Sequence, residues 1–201
     1  MNRMNVVAAL ALCVWSAGAA AQLLGGVTQP LTAPTPTGQA AAVRATVAGI
    51  PASLADTGTL GGAGDARNAS QVAGSIPSLL SAGVPQAATI GWSDQATSQA
   101  SLADLGMTVA GIGISAGFVM ASATAAAGTA ARAASLVENL AINGVPVSVT
   151  GAPNQVVGIP GGSIVINQQT ATPGGIAVNA LHVIVNGLAD VVVGSATAAI
   201  R

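Results

Sequence analysis

His182 is the single histidine of this 201-residue chain, and with Trp92 it is the side chain best suited to chemistry. It sits in Val178-Asn179-Ala180-Leu181-His182-Val183, a run that reads as strand. A histidine can activate a serine when an acid orients it. Serines are plentiful here, but none lies in a Gly-x-Ser-x-Gly elbow. A structural zinc site takes four nitrogen or sulfur ligands, more than one histidine and Cys13 can supply. The acids Asp56, Asp65, Asp94, Asp104, Glu138 and Asp190 are scattered and form no calcium-binding loop. Gly61–Gly64 and Gly161-Gly162 lack the Lys-Ser/Thr of a phosphate loop. No catalytic residue, metal ligand, cofactor or small-molecule substrate is therefore expected. Trp92, following Thr89-Ile90-Gly91, could stack on a sugar or anchor the core.

The elements that would position these residues begin after an export signal. Arg3 precedes the apolar run Val6–Trp15, and Ala19-Ala20-Ala21 offers the small residues of a cleavage site. The expectation is a signal peptide over 1–21, cleaved before Gln22. Cys13 lies within it, so the mature chain carries no thiol. Residues 22–75 read as a leader rich in Pro, Thr, Gly and Ala, partly ordered. Within it, Gln39–Ala55 fits either helix or strand, and Asp56–Gly74 reads as loop. Charged residues make up only 5% of the chain, and no lysine is present. That leaves no basic patch for nucleic acid, while a weakly charged surface favours self-association. No transmembrane anchor is expected once the signal is removed.

From residue 76 to 201 the pattern predicts an all-β, antiparallel sandwich-like domain. Ser81-Ala82-Gly83-Val84 recurs as Ser115-Ala116-Gly117-Phe118, and Ala100–Asp104 recurs at the same offset as Ala134–Glu138. Two like β units side by side would account for this, and would bring Asp104 and Glu138 to matching places. Met107–Ala127 is predicted as strand. A two-residue period puts Ile112, Ile114, Ala116, Phe118 and Met120 on one face and small residues on the other. Its rivals are a membrane helix carrying the Gly113/Gly117 pair and a soluble Ala-rich helix over 121–134. Leu136–Ile142 is predicted as one strand, with Leu136, Glu138, Leu140 and Ile142 sharing a face. Asn143-Gly144 then makes a tight primed turn. Gly161-Gly162, Pro173-Gly174-Gly175 and Asn186-Gly187 separate further strands, and Leu181–Val185 and Val191–Val193 look covered on both faces.

Asn139–Val149 (NLAINGVPVSV), Val165–Gln169 (VINQQ), Val178–Val183 (VNALHV) and Ala189–Ile200 (ADVVVGSATAAI) together resemble the choice-of-anchor P family of bacterial exported proteins. Ser115–Ala125 fits more loosely. The resemblance implies an extracellular, β-rich surface domain. It also implies structural roles for the motif positions Asn139, Gly144, Asn167, Asn179, His182 and Asp190. No LPxTG-like motif, closing apolar helix or basic tail follows Ile200, so no C-terminal anchor of the family's kind is expected. The expected protein is a non-catalytic structural component, secreted, on the cell surface or in the periplasm. It would be a part of the cell envelope that associates with itself through strand edges. The alternative is a glycan- or surface-binding module using Trp92.

Overall fold

A computed structural model describes residues 33–201. The signal segment, Cys13 and the start of the leader lie outside the described residues. The described chain holds strands and no helix. In order these are β1 (Pro36–Val47), β2 (Ile50–Asp56), β3 (Ala66–Ser70), β4 (Ala73–Ile76), β5 (Leu80–Gly91), β6 (Gln95–Val109) and β7 (Ile112–Ala126). Then follow β8 (Arg132–Glu138), β9 (Ala141–Ile142), β10 (Val145–Pro146), β11 (Gln155–Ile159), β12 (Gly162–Thr172), β13 (Gly175–Val185) and β14 (Ala189–Ile200).

All pairings are antiparallel. A six-stranded sheet runs β11-β12-β13-β14-β1-β2, and an eight-stranded one runs β10-β9-β7-β6-β5-β3 with β4 on β5 and β8 on β7. The sheets stack face to face, β13 and β14 against β7, and β1 against β5 and β6. The described residues thus form an all-β sandwich. The hairpins β5–β6 and β7–β8, which carry the internal repeat, lie side by side in one sheet.

The N-terminal strands belong to this sandwich. Gln39–Ala55 supplies β1 and β2, and Asp56–Gly74 contains β3 and the start of β4. Alanine is a poor strand former in isolation, but Ala40, Ala41, Ala42 and Val43 are wholly buried between β14 and β2. Burial outweighs propensity there.

Turn chemistry closes the hairpins. Asn143-Gly144 joins Ile142 to Val145 with both residues at positive φ, 49° and 76°, the pair a primed turn requires. The same turn occurs at Ala110-Gly111, φ 51° and 78°, where alanine gives little sequence signal. It splits Met107–Ala127, so that β6 ends and β7 begins inside the stretch predicted as one strand.

A second correction concerns which side chains face inward. On β7 Ile112, Ile114 and Ala116 are buried, but the phase then changes and Val119, Ala121, Ala123 and Ala125 are buried instead. Phe118 and Met120 therefore sit on the outer face. β6 changes phase opposite, from Ala96, Ser98, Ala100 and Leu102 to Leu105, Met107 and Val109. The cause is a row of kinked residues crossing the sheet: Asp104, Gly117 and Asn139 lie level, with Asp104 at φ 47° and Asn139 at φ 54°. A left-handed residue turns the strand over, and neighbours that kink together keep their register. The same device crosses the other sheet through Ala55, Ala42, Gly194, Ala180 and Asn167, alternate members having positive φ. Leu136–Ile142 is accordingly two strands, β8 and β9. Leu136 and Glu138 are exposed, whereas Leu140 is buried. Leu181–Val185 and Val191–Val193 are covered on one face only, since His182, Ile184 and Val192 point outward and are partly exposed.

On one side of these rows the core is bulky, with Leu181, Val183, Val191, Val193, Ile164 and Ile166 under Ile112, Ile114, Leu105 and Met107. Each such side chain contributes roughly 1.5–3 kcal/mol on burial. On the other side, beyond Leu102, Val119 and Val178 beside the rows, it is mostly Ala, Gly, Ser and Thr, and the sheets approach closely. A β-carbon on Gly38 would lie 2.7 Å from Thr89 Oγ1 and 2.8 Å from Ser98 Oγ. Ser98 Oγ donates to the Thr197 carbonyl across the interface at 2.7 Å, and Thr89 Oγ1 is 2.7 Å from it.

Candidate functional site

The outer face of the six-stranded sheet carries a hydrogen-bonded polar cluster. β13 offers Asn179 and His182, β12 offers Gln168, and β14 offers Asp190. Their proximity follows from antiparallel register: Gln168 pairs with Asn179, and Asp190 with Ile184, two residues from His182. His182 Nδ1 is 2.8 Å from Gln168 Oε1, and its Nε2 is 2.9 Å from Asp190 Oδ1. Asn179 Nδ2 donates to the same Gln168 oxygen at 2.8 Å. The ring is largely covered, at 14% exposure, while Asp190 is 60% exposed. Both ring nitrogens are engaged by an amide and a carboxylate, and neither meets a hydroxyl. Among the described residues the His–Asp contact has no serine or threonine bonded to it, so it is not the triad arrangement that activates a hydroxyl. It acts as a cross-strand clamp.

Beside it, Arg44 on β1 meets Asp56 on β2, with Nε 3.0 Å from Oδ2. Partial burial pushes the Asp56 carboxyl up. Hydrogen bonds from Arg44, the Gly58 amide and Gln39, together with the Arg44 charge, outweigh this and hold it below the usual carboxylate range. A shallow groove of about 540 Å³ runs between this ion pair and Asp190, floored by Thr46, Ser53 and Val192. Asp65 is also held low, by the Gly61 amide and Arg67. No cluster of three or more His, Cys, Asp or Glu side chains occurs among the described residues.

The other motif positions lie apart. Asn139 and Asn167 are kink residues. Asn167 Nδ2 donates to the Gly151 carbonyl at 2.9 Å, tying the entry of β11 to β12. Gly144 completes the β9–β10 turn. Asp104 and Glu138 do not come together, because β7 runs between their strands.

Trp92 lies just past β5, 45% exposed and outside the core. It continues the outward column Gln86, Ala88, Ile90 of β5. Gln86 also borders a groove of about 320 Å³ on the eight-stranded sheet, with Asn68, Ser70, Gln99 and Ser101.

The strands at the sheet margins differ in how they are guarded. Charges, proline, bulges and covering segments blunt free edges. β2 has Pro51 and Asp56 and lies near β3 and β4, β3 has Arg67, β8 has Arg132 and Glu138, and β10 has Pro146. Four-residue β4 lies against Leu54 of β2. β11, Gln-Val-Val-Gly-Ile, has neither charge nor proline, and among the described residues its one strand neighbour is β12. Val156 is 64% exposed on it. The sequence showed β11 as a strand, but not that the topology leaves it at a margin.

No helix among the described residues is long and apolar enough to cross a membrane, which says nothing of strands. Comparison of the chain with family models, curated proteins and solved structures finds no match.

Proposed function

We propose that this chain is an exported, non-catalytic structural component of a bacterial cell surface or envelope, working by self-association through an open strand edge. The observation that carries the reading is β11, five residues with no charge or proline at the margin of the six-stranded sheet. Unpaired backbone groups on such an edge recruit another strand. The sparse surface charge opposes association little. The signal-peptide pattern and the resemblance to choice-of-anchor P proteins support export. Sedimentation velocity of the full chain over a wide concentration range tests the reading, with electron microscopy of the associated fraction. Growth of a discrete larger species is expected, and a strict monomer throughout would refute it. Broad esterase and glycosidase screens should remain silent; turnover abolished by His182→Ala would overturn the non-catalytic part.

A second reading is favoured by the exposure of Trp92 at the end of the outward β5 column that, at Gln86, borders a groove lined by Asn, Gln and Ser side chains. Such a face suits an uncharged glycan. A glycan array reporting binding that Trp92→Ala removes would support it, and binding unchanged in that variant would exclude Trp92 as the contact.

A further inference from the structure

We infer that two copies of this chain join through β11 about a two-fold axis, fusing two six-stranded sheets into one continuous sheet. The inference rests on the self-association proposed above and names its interface. Antiparallel pairing of β11 with its own copy sets Val157 opposite Val157, Val156 opposite Gly158, and Gln155 opposite Ile159. Alternate side chains face opposite sides of a strand, and on β11 Val156 and Gly158 are the exposed ones, whereas Val157 and Ile159 pack toward the core. The space above Gly158 is open, since a β-carbon there would touch nothing within 4 Å. The exposed Val156 of the partner copy fills that space, and two-fold symmetry makes the contact twice. Val156 also sits beside Val165 of β12, so the apolar row continues across the join. An isologous contact closes on itself and yields a dimer rather than a fibre. β2 is a poorer acceptor, because Pro51 lacks an N–H and β3 and β4 stand against it. The leader before β1 is a poor strand donor for β11, since Pro30 and Pro34 lack that donor too.

Cysteine cross-linking tests the register in the full chain carrying Cys13→Ser. Val157→Cys should give a disulfide-linked dimer under mild oxidation, because directly opposed residues fall within disulfide reach. Val156→Cys and Gly158→Cys should cross-link to each other when mixed, and far less when each is alone. Val156→Lys, at a site that is already exposed, should weaken association at least tenfold while leaving the circular dichroism spectrum unchanged. Association that survives Val156→Lys, with no cross-link at Val157→Cys, would overturn the β11 interface and leave self-association standing. A chain monomeric at every concentration would overturn both.

Discussion

Replacing Gly194 with alanine tests the kink row that turns the strands of the six-stranded sheet over. Gly194 has φ 65°, and a β-carbon there would lie 3.2 Å from both Ala180 Cβ and Val119 Cγ1. The first is its neighbour across β13 and the second belongs to the facing sheet. An L-residue in the left-handed region costs roughly 1–2 kcal/mol. Overfilling a close-packed core costs about 1–3 kcal/mol more. The reduced freedom of the unfolded chain returns about 0.4–1 kcal/mol. The net destabilisation is roughly 1–4.6 kcal/mol, or about 2–18 °C in Tm for a domain of this size. Gly106→Ala is the control: its φ is ordinary and the nearest atom to an added β-carbon, Ser81 Oγ, lies at 3.5 Å, so it should stay within about 0.5 kcal/mol. Reversible urea unfolding of both variants supplies the numbers. If Gly194→Ala proves as stable as the control, the row is not a constrained hinge and the account of the phase change fails.

Three further outcomes follow from the same geometry. Ser98→Ala should cost about 0.5–1.5 kcal/mol in unfolding free energy, because it removes the side-chain bond to the Thr197 carbonyl across the interface and leaves the buried Thr89 hydroxyl with only its longer, 3.3 Å bond to the Thr97 carbonyl. Asp56 contributes stability that depends on pH: its folded carboxyl titrates below its unfolded value, so the contribution is complete above about pH 4 and disappears as pH falls through the folded value. Asp56→Asn should flatten that acid limb in a pH series of melts, at a cost near neutrality of about 1 kcal/mol or less for a half-exposed ion pair. His182→Gln should shift stability by about 1 kcal/mol or less, since it alters a clamp on the outer face rather than the core.

The fold class was readable because β-branched runs and Asn-Gly or Pro-Gly breaks each act locally. The Asn143-Gly144 turn and the courses of β11 to β14 follow from residues within a few positions of one another. The phase changes were not readable. Asp104, Asn139 and Asn167 sit inside stretches that alternate well, and only the alignment of kinks across neighbouring strands lets each strand turn over without losing register. That is why Phe118 and Met120 face outward. β1 was hidden by its alanines, whose burial depends on β14, more than a hundred positions away. The His182 clamp combines residues eight and fourteen positions apart, and extending the β13–β14 hairpin back from Asn186-Gly187 would have brought Asp190 close. The three-residue loop, with Leu188 N–H donating to the Val185 carbonyl, sets that register. Nothing local marks β11 as an edge, since its place depends on the strand order of the whole sheet.

Amide hydrogen exchange of Gln155–Ile159 in the full chain, followed at low and high protein concentration, bears most directly on the open edge. Slower exchange confined to β11 and appearing as the larger species forms is the expected result. Equal exchange at both concentrations while the larger species forms, or protection in the monomer of the β11 amides that point away from β12, would contradict it.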